Sequence, residues 1–140
     1  MRKTFIVLFA AVVLLSVTAP VWAHHAFAAE FDAAKPIKFK GTVTKMEWIN
    51  PHAWIHIDVK GEDGKVTAWM IEAAAPNALL RRGWTKNSLL AGTEIVVEGY
   101  QAKDGANRAN GSIITFTDGK KLFVGSSAGD PGAAPGTTFK

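Results

Sequence analysis

The sequence predicts an all-β fold: a small five-stranded OB-fold-like barrel with one short helix between strands 3 and 4. Three observations predict it. Short segments rich in β-branched and aromatic residues recur through the middle of the chain. Turns carrying Gly, Asp and Asn separate them. One stretch of helical character follows the third segment. The 140 residues, 48% hydrophobic and 20% charged, suffice for one compact core.

The first strand is Ile37 to Trp48, with Gly41 as a bulge or bend. The second, Trp54 to Lys60, alternates: Ile55, Ile57 and Val59 face one way, and Trp54, His56 and Asp58 the other. Gly61-Glu62-Asp63-Gly64 is a turn, and Lys65 to Glu72 is the return strand of a hairpin. Pro76 to Arg82 forms the short helix. Pro76 suits its first turn and Gly83 its C-terminal cap. Glu94 to Tyr100 and Ser112 to Thr117 are the fourth and fifth strands, and Asp118-Gly119 turns into a short Leu122 to Val124 return. The expected core is Val43, Met46, Ile55, Ile57, Val59, Val66, Met70, Leu79, Leu80, Leu89, Leu90, Ile95, Val97 and Ile113. A flattened β-sandwich of the same elements is the alternative. The barrel is favoured because closing the sheet removes exposed edges.

The two ends read differently. Arg2 and Lys3 precede an apolar run from Phe5 to Val17, and Thr18-Ala19-Pro20 breaks it before Val21-Trp22-Ala23. This is the pattern of a secretory signal, and the run is shorter than the ~20 residues a spanning helix needs. The expected organisation is therefore a signal peptide at 1–23, an N-terminal segment at 24–36, the β domain at 37–124 and a disordered tail at 125–140. The tail has little apolar mass. Cleavage after Ala23 delivers the protein to the periplasm with no membrane insertion. It leaves 14 of the 16 basic side chains against 12 acidic ones. So small an excess argues against a nucleic-acid partner, which needs a clustered basic face.

The chain has no cysteine, which excludes disulfides, thiolate metal sites and thiol catalysis. Its four histidines fall in two places: His24 and His25 at the expected mature N-terminus, and His52 and His56 around the second strand. Cleavage would give His24 a free α-amino group beside its imidazole, a bidentate nitrogen chelate. One more imidazole, from His25, His52 or His56, completes a T-shaped set, the histidine brace. Nitrogen- and oxygen-rich sites without sulfur suit Cu(II) best among the divalent first-row metals. On an extended strand His52 and His56 stand ~13 Å apart at the backbone, too far to share one ion. At most one of them joins the terminus, and His52, beside Asn50-Pro51, is the freer to reorient.

A second constellation is aromatic. If Lys60 pairs with Lys65, His56 sits opposite Trp69 and Trp54 opposite Ile71. Trp54, His56 and Trp69 then share one surface with Trp48 at its edge, a ligand face for stacking. The competing expectation is that the helix or the Ala26–Phe31 segment covers this surface as a secondary core. Asp58, Glu47 and Glu72 show no spacing that pairs them for acid–base work, and no catalytic motif occurs.

The chain resembles a family of small exported bacterial proteins of unknown function. The residues that carry the resemblance are His24-His25-Ala26-Phe27, Glu47-Trp48-Ile49-Asn50-Pro51-His52, Gly83-Trp84 and Asp118-Gly119-Lys120-Lys121-Leu122. The strand order is also similar to that of small periplasmic OB-fold proteins. The resemblance implies export and a fold but no activity. The leading expectation is a non-enzymatic periplasmic binding or accessory module that takes copper through the mature N-terminal histidine. The alternatives are a copper-dependent redox enzyme and a metal-free adaptor using the aromatic face. The partner is a small ligand or a periplasmic protein.

Overall fold

The computed structural model describes residues 27–125. The expected signal peptide, His24, His25 and the expected tail from residue 126 lie outside them. A helical turn at 27–30 is followed by β1 (Phe31–Glu47), β2 (Trp54–Lys60), β3 (Val66–Glu72), α1 (Pro76–Arg81), β4 (Glu94–Ala102), β5 (Arg108–Phe116) and β6 (Lys121–Phe123). The six strands form one sheet in the order β3-β2-β1-β4-β5-β6, with antiparallel neighbours. One further pairing is parallel: Met70, Ile71 and Glu72 of β3 lie beside Arg108, Ala109 and Asn110 of β5. The expected return after Asp118-Gly119 is thus a sixth strand, one more than the five expected.

β1 explains how one chain segment serves two partners. Its first part pairs with β4 from Phe31 to Thr42, and its second with β2 from Thr42 to Glu47. The crossover lies at Gly41. A Cβ there would sit 3.0 Å from Ile57 Cδ1 and 3.1 Å from the Asp58 carbonyl oxygen, so the close approach needs glycine. A bulge between Val43 and Lys45 follows. β1 also starts earlier than Ile37. Phe31 is buried and pairs with Ala102, and the irregularity between Phe31 and Pro36 hides this stretch from pattern reading.

β2 has the expected phase, with Ile55 and Ile57 fully buried. β3 does not. Lys60 pairs with Val66, not Lys65, because the turn takes five residues. Asp63 Oδ1 accepts the Lys65 N–H at 3.0 Å, and Gly64 adopts a φ of 80°. A shift of one residue reverses every side chain. Ile71 is therefore buried, while Val66 and Met70, expected inside, are 60% and 40% exposed. Trp69 lies opposite Ile57, with its ring 4.7 Å from that of Phe39.

The same arithmetic corrects other core positions. Leu79 and Leu89 are buried and their neighbours Leu80 and Leu90 exposed, since adjacent residues on a helix or tight turn cannot both face inward. In β5 Ile114 is buried and Ile113 only half-buried. A bulge between Glu98 and Gly99 sets that phase. Gly99 faces Gly111 across it, and a Cβ on Gly99 would lie 2.1 Å from the Asn110 carbonyl oxygen. The largest fully buried side chain is Trp84, absent from the expected core. Its Nε1–H donates to the Phe123 carbonyl at 3.0 Å, tying the segment after α1 to β6.

Candidate functional site

The face opposite the apolar core carries an unusual row. Trp54 pairs with Glu72, Glu72 with Asn110, and Asn110 with Tyr100, so one line crosses β2, β3, β5 and β4. Directly paired residues present their side chains on the same face. The next line is His56, Met70 and Arg108. Glu72 and Asn110 are buried although they point away from the core.

These two polar side chains meet. Asn110 Nδ2–H donates to Glu72 Oε1 at 3.4 Å, and Asn110 Oδ1 finds no donor among the described residues. Burial raises the Glu72 carboxyl above its ordinary value, and the Glu30 charge adds to the shift. The charge of His52, the Asn110 hydrogen bond and Arg108 act in the opposite direction.

His52 stands beside Glu72, just before β2. The Asn50–Pro51 peptide before it is cis. Ala53 after it is fully buried and bonded to Ala73 and Ala74, so the β2–β3 ladder runs up to the histidine. His52 Nδ1 lies 3.2 Å from the Ala73 carbonyl oxygen and 3.6 Å from Glu72 Oε1. A carbonyl only accepts, so Nδ1 carries the hydrogen of this contact. The side chain is 38% exposed.

His56 has different company. Its Nε2 is 3.7 Å from Glu47 Oε2, and Glu47 also pairs with Lys45. The Lys45 hydrogen bond holds the Glu47 carboxyl below its ordinary value. The two strand histidines therefore serve separate carboxylates, as their separation along the strand requires. Among the described residues, no group of three or more His, Asp or Glu side chains is arranged to hold a metal ion.

The N-terminal segment reaches this face. The Phe27 ring makes an edge-on contact with Tyr100 at 5.8 Å and touches Phe31 at the same distance. Lys103 N–H donates to the Glu30 carbonyl at 2.9 Å. Arg108 lies 3.8 Å from Glu30 and 5.9 Å over the Phe31 ring. The segment thus covers the β4–β5 end of the row. The aromatic ligand face is not assembled as expected: Trp48 and Trp69 pack against the core, leaving Trp54 beside His56.

The chain belongs to the Family of unknown function (DUF6152), matched over residues 11–111. No curated protein matches it, and no solved structure does. The span shared with the family contains all four histidines, Glu72 and Asn110, and ends before β6. Sequence reading takes Glu72 only as an unpaired strand carboxylate and Asn110-Gly111 as a turn, whereas both of the latter lie within β5, and it gives no role to Arg108 or Glu30. A polar residue at an outward position of an otherwise apolar strand end was the available signal for Glu72. Nothing in the spacing joins it to Asn110, 38 residues away.

Proposed function

We propose that this chain is an exported, non-enzymatic binding or accessory module that holds Cu(II) through His24 at its mature N-terminus. The observation that carries the reading is the anchoring of Phe27 on Tyr100, in the same row as Glu72, whose carboxylate lies 3.6 Å from His52 Nδ1. His24 precedes Phe27 by three residues, a reach of ~10 Å at most. From Tyr100 to Glu72 there are two inter-strand steps of ~4.8 Å each. The tether and the span to Glu72, the carboxylate beside His52, are of similar length, which supports a terminal chelate held near this row. Periplasmic export, with cleavage after Ala23, is the step that frees the amine.

The same reading takes the domain as an OB-fold-like barrel. The cycle of pairings β1–β2–β3–β5–β4–β1 supports it, as does the bent first strand. The metal-free adaptor is the weaker reading, because two of its three tryptophans serve the core.

Copper titration of the processed chain tests the proposal. Tight binding should be lost when one residue is added before His24, since the amine and the first imidazole then belong to different residues. Equal binding by both forms would leave the terminal chelate without support.

A further inference from the structure

We propose that the end of the sheet carrying α1 is a peripheral docking face for an anionic phospholipid surface. The inference stands independently of the copper reading. Because neighbouring strands run antiparallel, the C-terminal ends of β1, β3 and β5 lie with the N-terminal ends of β2, β4 and β6. Segment 73–93, which holds α1, and the β5–β6 turn both leave the sheet at this end. Trp84 holds them together. Its Nε1–H donates to the Phe123 carbonyl, and its ring lies 6.4 Å from that of Phe116. The Phe116 N–H in turn donates to the Lys120 carbonyl at 2.8 Å.

Charge is divided between the two ends. No acidic residue occurs between Glu72 and Glu94, a stretch that contains Arg81, Arg82 and Lys86. Lys120 and Lys121 add two bases from the neighbouring turn, where the one acid, Asp118, accepts the Lys120 N–H. Arg82 is engaged by the Phe123 ring and the Gly125 carbonyl. Arg81, Lys86, Lys120 and Lys121 are exposed and form no ion pair among the described residues. At the opposite end Glu30, Asp32, Asp63 and Asp104 are paired with Arg108, Lys35 and Lys65. The small net charge of the chain conceals this division.

Two leucines favour lipid over other polyanions. Leu80 on α1 and Leu90 in the turn before β4 are 55% and 62% exposed at the same end as the four unpaired cations. A soluble polyanion gains nothing from exposed aliphatic side chains. A bilayer takes lysine and arginine at its headgroups and leucine at the acyl boundary.

The experiment is co-sedimentation of the processed chain with vesicles of phosphatidylglycerol in phosphatidylcholine and with vesicles of phosphatidylcholine alone. Binding is expected to the anionic vesicles only and should fall as salt is raised. Lys120→Gln with Lys121→Gln should weaken it about 5-fold for each charge removed. Leu80→Ser with Leu90→Ser should weaken it at unchanged charge. Lys60→Gln with Lys65→Gln, at the opposite end, should bind like the native chain. Circular dichroism checks that each variant keeps its fold. Failure of the native chain to sediment with anionic vesicles would overturn the inference. Equal losses from the two lysine pairs would do the same, since net charge alone would then explain binding. If the leucine variant kept full vesicle binding and heparin bound the chain as well, the face would belong to a soluble polyanion and the lipid assignment would fall.

Discussion

Glu72 is a buried acid whose charge the fold does not fully offset. Its pKa is raised, first by burial, with Glu30 adding to the shift and His52 opposing it. The unfolded carboxyl titrates near the ordinary 4.5. Between that value and the raised one, the folded chain still holds a proton that the unfolded chain has released. Stability therefore falls as pH rises across this window. Glu72→Gln removes the loss and should gain on the native chain as pH rises from about 4.5, levelling off once Glu72 is ionised in both states. Thermal unfolding of the two proteins at stepped pH reads the difference. A gap that stays constant across the range would mean that Glu72 is as well solvated folded as unfolded. Asn110 belongs with it: its amide N–H reaches Oε1 only because β3 and β5 run side by side.

At the scale of elements, the hairpin decides which residues do what. The five-residue turn shifts β3 by one position relative to a four-residue one, so Ile71 takes the buried place and Met70 the exposed one. Ile57→Ala should cost about 2–5 kcal/mol, the usual range for a large core deletion. Met70→Ala should stay within about 0.5 kcal/mol, as for an ordinary surface change. Denaturant unfolding of both variants checks the register, and a costly Met70→Ala would restore the four-residue turn. The alternation of β2 was legible because Ile55, Ile57 and Val59 leave no competing phase. β3 was not, because Val66 and Met70 form one apolar set and Trp69 and Ile71 another. Only the Asp63 hydrogen bond to Lys65 and the left-handed Gly64 choose between them.

At the scale of the whole molecule, the proposal depends on where the mature chain begins. Mass spectrometry of periplasmic material should find a chain starting at His24. A full-length chain held in membranes would remove both the export and the terminal amine. The domain anchors the segment that follows: Phe27 on Tyr100, Glu30 against Arg108 and Lys103, and Phe31 buried beside Ala102. These contacts tie the N-terminal segment to the row that runs from Tyr100 through Asn110 and Glu72 to Trp54.

Sequence alone determined the β character, the helix after the third strand and its glycine cap, and the interior phase of β2. Each rests on local physics: alternation or turn chemistry. Tertiary structure decided the phases of β3 and β5, the burial of Trp84, and the meeting of Glu72 with Asn110 and His52. Those outcomes depend on a turn length, on a bulge at Gly99 and on the parallel contact of β3 with β5. None of these has a signature within one segment, because each arises where two segments distant in sequence are forced into register.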